Sequence, residues 1–218
     1  MTQQDREAYA AAALDRNFVS MRRVSFLQED MSTSSKARRL AELCEQACSE
    51  GRQVVIYSYF RETIRAVQKL LGTRALEPVT GSVSPVRRQE IVDAFTAAED
   101  GTVLICQVQA GGTGLNIQAA SVIIFCEPQI KPSIENQAVS RAYRMGQLRS
   151  VMVHRLLCDN TVDERILELL REKQDVFDSF AEESTVGSEY LRAEKSITAA
   201  IIEREKERLA SENPPEEA

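Results

Sequence analysis

A length of 218 residues, 43% of them apolar and 28% charged, provides for one compact domain with extensions. The formal charge of −6 is uneven, because residues 181–218 hold ten acidic and five basic side chains against 23 and 22 before them. A net field that attracts nucleic acid is thereby excluded, and any DNA contact has to come from a local patch. No window reaches the ~18–20 continuous apolar residues of a membrane span, and the opening MTQQDREAYAAAALDRNF lacks a signal-peptide pattern, so a cytoplasmic chain without a membrane partner is expected.

The first thirty residues show a polar helical pattern ending in FVSMRRVSF, followed by the loop-like EDMSTSS, and residues 1–35 read as a connector. From Lys36 to Cys48 the spacing of Leu40, Leu43 and Ala47 predicts a helix, with Gly51 as its stop. VVIYS predicts a strand, and RETIRAVQKLL a helix with Ile64, Val67, Leu70 and Leu71 on one face, ending at Gly72. ALEPVTG predicts a weaker strand that Pro78 confines to an edge. Ser84 then offers an N-cap and Pro85 a first-turn proline for PVRRQEIVDAF, and TVLICQ follows as a buried strand.

SVIIFC, Pro132 and the helix SIENQAVSRAYRM form the next unit. The last is SVMVHRLL with TVDERILELLREKQDVF, whose Thr161 and Glu164 fit a capping box. This alternation specifies an α/β fold with a mainly parallel sheet and helices on both faces. A stripe of Leu191, Ile197, Ile201 and Leu209 predicts a C-terminal helix, and with the acidic tail it fills residues 181–218. The cysteines Cys44, Cys48, Cys106, Cys126 and Cys158 include no CxxC pair, and His154 alternates with Val151 and Val153 in a strand. Buried thiols and a structural histidine are therefore expected in place of a zinc site.

Ligands of open α/β sheets gather beyond the carboxyl ends of the strands. Those positions hold Ser58, Tyr59 and Arg61 after the first strand, Gly81 and Ser82 after the second, Gln107 and QAGGTGLN after the third, and Glu127 and Gln129 after the fourth. In QAGGTGLN, Gly111, Gly112 and Gly114 serve either a loop whose backbone N–H groups approach phosphates or a turn that needs positive φ. In QAVSRAYRMGQ, Arg141 and Arg144 are three residues apart, which predicts one shared helix face with Gln137 a turn earlier. Such a pair either grips the charge spread over a transferring phosphoryl group or lies on a solvated face with surface salt bridges.

The ordered segments resemble a known motor. VVIYSYFRETIRAVQKLL resembles helicase motif four, and VTGSVSPVRRQEIVDAF the motif that follows it. LICQVQAGGTGLNIQAASVIIF resembles motif five, and ENQAVSRAYRMGQLRSVMVHRLLCDNTVDERI motif six with its downstream strand and helix. Together they resemble the C-terminal RecA-like helicase lobe of the Swi/Snf family of superfamily two, over residues 36–180. The resemblance implies that Arg141 and Arg144 are arginine fingers, and that Gly112, Gly114, Asn116 and Gln137 lie at the ATP site. It further implies that Ser58, Arg61, Gly81, Ser82 and Gln109 face the DNA backbone. Two departures stand out: Gln107, Val108 and Gln109 replace the family's serine-threonine-lysine triplet, and CEPQIKP replaces its aspartate-tryptophan-asparagine-proline stretch, as in a bacterial branch.

No G-x-x-x-x-G-K-[ST] phosphate loop occurs, and Asp163 with Glu164 opens a helix where an acidic pair would have to end a strand. ATP and Mg²⁺ are thus expected to be bound mainly by a first RecA-like lobe, supplied in cis or in trans. MRRVSF resembles the interlobe connector, so the chain is expected to begin within a longer protein. Three readings follow: one half of an ATP-driven translocase on double-stranded DNA, a DNA- or protein-binding module without turnover, or an inert fragment of a larger helicase. Intact motif six favours the first.

Overall fold

The computed structural model describes residues 1–26, 28, 30–111, 114–144, 147, 149–172 and 187–212. The chain opens with helices α1 (Gln3–Leu14) and α2 (Phe18–Arg23) and short 3₁₀ turns, then α3 (Ser35–Ser49). β1 (Gln53–Ser58), α4 (Arg61–Leu71), α5 (Pro85–Ala97), β2 (Val103–Gln107) and the single turn α6 (Val108–Gly111) follow. β3 (Ala120–Phe125), α7 (Pro132–Ala142), β4 (Met152–Arg155), α8 (Val162–Glu172) and α9 (Gly187–Glu212) come next among the described residues.

Local chemistry sets most boundaries. Thr2 and Asp5 form a reciprocal capping box on α1, Asn17 caps α2, and Ser34 caps α3 by accepting from the Ala37 N–H. The Ser84 hydroxyl accepts from the Arg87 N–H with Pro85 in the first turn, as the sequence predicts. α4 ends at Gly72, whose φ of +56° an L side chain seldom adopts. At α8 the predicted capping box takes another form: the Thr161 hydroxyl accepts from the Asp163 N–H, and the Glu164 carboxylate accepts from the Asn160 N–H.

The sheet is parallel throughout, in the order β2-β1-β3-β4. ALEPVTG flanks β2 at the edge, but as two isolated parallel bridges, Ala75 to Val103 and Val79 to Cys106, instead of a strand. The Leu76 and Val79 N–H groups donate to the Val103 and Ile105 carbonyls, and Pro78 between them has no N–H to continue the ladder.

Alternate strand residues feed two cores. Val54, Ile56, Val103, Ile105, Val122 and Ile124 pack against Leu40, Leu43 and Ala47 of α3 and Ile64 and Val67 of α4. Val55, Tyr57, Leu104, Cys106, Ile123 and Phe125 pack against Ile91, Val92 and Phe95 of α5 and Ala138 and Ala142 of α7. Both faces are therefore covered, as a parallel sheet requires. A third core joins the ends of the chain: Tyr9, Ala12, Ala13, Met21 and Val24 meet Val162, Ile166 and Ile201. Leu209 packs at its margin, while the side chains of Leu191 and Ile197 lie outside the described residues.

Four cysteines are buried, but Cys48 is exposed, contrary to expectation. Half-buried His154 belongs to β4, opposite Ile124. Among the described residues, no group of three His, Cys, Asp or Glu is placed to hold a metal ion, and no helix is long and apolar enough to cross a membrane.

Candidate functional site

The carboxyl edge of the sheet carries two neighbouring constellations. The first is built on the exits of β1, β2 and the bridged segment 75–79. Exposed Arg61 opens α4, and its Nη2 donates to the Ser82 hydroxyl at 3.2 Å, with the Thr80 hydroxyl 2.9 Å from the same oxygen. Gly81 is exposed, and its N–H donates to Gln107 Oε1 at 3.0 Å. A cleft of about 320 Å³ beside them is lined by Arg61, Arg65, Gln68, Glu77 and Thr80. Arg61, Gly81 and Ser82 are thus brought together on the surface.

Ser58 departs from its expected place. It is 1% exposed, its hydroxyl donates to Glu127 Oε2 at 3.0 Å, and it accepts from the Phe60 N–H at 3.1 Å. The side chain faces inward because a buried carboxylate beside it needs donors, and it is not presented to a DNA backbone. Glu127 is itself 1% exposed and also accepts from the Tyr59 N–H at 2.6 Å and Gln129 Nε2 at 3.1 Å. Burial pushes its carboxyl up, against the opposing charges of Arg22 and Lys36 and these hydrogen bonds. Arg22 reaches this edge from α2: its Nη2 donates to the Pro128 carbonyl at 2.7 Å, and its guanidinium lies 5.1 Å from the Phe60 ring centre.

The second constellation joins the glycine-rich turn to the end of α7. Gly114 has φ +77°, the left-handed conformation that such a turn demands, while Gly112 lies outside the described residues. The Ile117 N–H donates to the Arg141 carbonyl at 3.1 Å, which ties the turn directly to the arginine segment. Asn116 is exposed and donates to Gln118 Oε1 at 3.2 Å. Gln137 is exposed one turn before Arg141, and Gln109 is exposed on α6 between the two constellations. Half-buried Arg141 bears on buried Tyr57, whose hydroxyl burial drives well above the usual phenol range and the arginine's charge draws back.

Arg141 and Arg144 do not share a helix face. α7 stops at Ala142, and Tyr143 turns away with φ −93° and ψ 91°, so Arg144 lies beyond the helix and is exposed. Gln147 fastens the chain just past the stop. Its Nε2 donates to the carbonyls of Gln118 at 2.8 Å, Ala120 at 3.2 Å and Ala142 at 3.4 Å, which pins the arginine loop to the start of β3. Sequence spacing gave no sign of this, because the contact joins segments almost thirty residues apart.

Residues 35–146 match the helicase conserved C-terminal domain. The chain is 34% identical over 162 residues to the ATP-dependent helicase fft2 of Schizosaccharomyces pombe, covering 73% of this chain and 13% of that protein. It is 32% identical over 165 residues to the chromatin-remodeling ATPase INO80 of Saccharomyces cerevisiae, covering 75% and 11%. Its fold matches the Sulfolobus solfataricus SWI2/SNF2 ATPase core in complex with dsDNA, with a TM-score of 0.68 at 20% identity over 88% of this chain and 47% of that one. The chain therefore spans about an eighth of the length of these curated relatives.

Proposed function

Because the chain belongs to the helicase C-terminal domain family, as the C-terminal lobe of a SWI2/SNF2-type ATPase, we propose that it is the second motor lobe of an ATP-dependent translocase on double-stranded DNA. The hydrogen bond between Ile117 and Arg141 carries this reading, since it couples a glycine-rich turn to an arginine-bearing helix end at the carboxyl edge of the sheet. Arg141 and Arg144 would direct planar, permanently charged donors at a triphosphate, beside Gly112, Gly114, Asn116 and Gln137. The triphosphate and its Mg²⁺ would be held by a first RecA-like lobe. This chain has no phosphate-loop sequence, and its described residues include no metal-binding cluster.

DNA enters the proposal through the other constellation. The Sulfolobus core was solved with double-stranded DNA, which supports a role for Arg61, Ser82, Gly81 and Gln109 along a phosphodiester backbone. With the Gly81 N–H engaged by Gln107, the side chains of Arg61 and Ser82 are the natural phosphate donors. The CEPQIKP stretch supports a bacterial branch of the family, and the change at Gln109 removes a cationic DNA contact.

The isolated chain should not hydrolyse ATP, and turnover by pure protein would overturn the division of labour between lobes. In an assembly that restores the first lobe, Arg144→Ala should lower DNA-stimulated kcat by roughly 10³-fold or more while nucleotide binding persists, because the guanidinium acts in the transition state. Arg144→Lys should rescue poorly. Arg141→Ala should be equally inactive. Steady-state ATPase assays with circular dichroism decide the matter, and activity within a few-fold of the parent in both alanine variants would return the arginines to a solvated surface role.

A further inference from the structure

The sheet ladder does not end with its strands. Gln107 is the last residue of β2, paired with Ser58 on one side, while on the other its own N–H donates to the Val79 carbonyl at 2.8 Å. One step further on, its side chain acts as the next peptide would. Gln107 Oε1 accepts from the Gly81 N–H at 3.0 Å and Nε2 donates to the Tyr59 carbonyl at 3.3 Å. The two partners fix which end of the carboxamide faces which loop, since one is a donor and the other an acceptor. Beyond Tyr59 the row continues, because its N–H donates to buried Glu127 at 2.6 Å.

We propose that Gln107 is a positioning residue that holds the two DNA-facing loops in register, its carboxamide serving as a surrogate rung between Gly81 and Tyr59. The inference rests on the reading of Arg61 and Ser82 as phosphate ligands. These residues lie two and one positions beyond the bridged peptides, and at present Arg61 bonds to Ser82 across the gap. An arginine that turns to a phosphate gives up that outer link. The inner rung made by Gln107 then keeps the loops at a fixed separation, so that both reach adjacent phosphates without a new ordering cost. The identity of residue 107 is accordingly a matter of two-ended hydrogen bonding. Leucine or methionine fills the space and bridges nothing.

The test uses the full chain and a short mixed-sequence duplex, with Gln107→Leu, Gln107→Met, Arg61→Ala and the Gln107→Leu/Arg61→Ala double variant. Either substitution at Gln107 should weaken duplex binding by about three- to ten-fold, the loss of one or two net hydrogen bonds. The double variant should lose less than the product of the single effects, because the carboxamide acts through Arg61. Amide hydrogen exchange on the free protein should speed up at Gly81 in the Gln107 variants while amides within β1 and β3 keep the parent rates. Binding unchanged in both Gln107 variants, or fully multiplicative losses, would overturn the role of Gln107 while leaving the DNA reading intact. A parent chain that binds no duplex overturns that reading and this inference with it.

Discussion

Lys36 is 4% exposed and its ammonium lies 2.6 Å from the Asp163 carboxylate, itself 3% exposed. Burial alone would depress the lysine's pKa, yet the charges of Asp163, Cys158 and Glu127 hold it above the usual value. The same ammonium donates to the Cys126 carbonyl at 3.2 Å, and Asp163 Oδ2 accepts from the Cys158 N–H at 3.0 Å, so α3, β3 and α8 meet at one ion pair. Lys36→Met should cost about 3–5 kcal/mol in chemical denaturation, because it strands a buried carboxylate. Adding Asp163→Leu should recover much of that loss, and a double variant as unstable as Lys36→Met would refute the assignment. Asp5 gives a pH signature. Burial raises its carboxyl, but hydrogen bonds from Ser35 and Thr2 outweigh that and hold it below the ordinary value. A depressed carboxylate contributes stability above its unfolded pKa that disappears as pH falls through the folded one, so acid should loosen α1 from α3 at pH values below about 4. Asp5→Asn should abolish that acid-dependent part when melting is followed from pH 7 downwards.

At the scale of elements, helix starts were the most legible part of the sequence, because a cap such as Ser84 with Pro85 acts on the next few peptides alone. Helix ends were legible where a glycine marks them, at Gly51 after α3 and Gly72 after α4, but the end of α7 and the edge strand were not. Gln147 fastens the chain just past the end of α7, and the bridged segment fails as a strand because Pro78 withholds one donor. The inward turn of Ser58 was equally hidden, since it depends on Glu127, sixty-nine residues away. The pairing of the terminal helices had a partial signal in the stripe containing Ile201 and Leu209, but the stripe did not name its partner. That partner is the layer of α1 and α8, where buried Glu205 accepts from the Tyr9 hydroxyl at 2.9 Å, Arg165 Nε at 3.2 Å and Arg208 Nη2 at 3.0 Å. Burial and the Glu205 carboxylate push Tyr9 far above the usual phenol range, so it remains a donor. Glu205→Ala should destabilise the chain by about 3 kcal/mol, since it leaves two cations and a hydroxyl without their common acceptor. Hydrogen exchange should show α9 opening first, and uniform acceleration in the sheet would contradict a local clasp.

Over the whole molecule, the order of strands and helices was readable because each βα unit carries its own period and its own punctuation, and an alternating chain leaves few topologies for a parallel sheet. Charge was readable too, and it bears on what the molecule does alone. The acidic excess sits in the final segment while the remainder is nearly neutral, so on the proposed reading DNA would meet a small cationic patch at Arg61 and Arg65 instead of a broad basic face. Gln109 at the exposed start of α6 adds no charge to it. Duplex affinity in the isolated chain should therefore be weak, indifferent to sequence and shallow in its response to salt, because the logarithm of the binding constant falls by about 0.9 per phosphate neutralised for each decade of salt. Gln109→Lys should tighten binding at low salt and steepen that slope by about one contact, whereas Arg61→Ala should flatten it by about the same amount. Fluorescence anisotropy with a labelled duplex at several salt concentrations measures all three slopes. Parent binding that stayed tight at high salt, or that favoured one base sequence over another, would require base-edge contacts and would overturn the backbone reading of this edge.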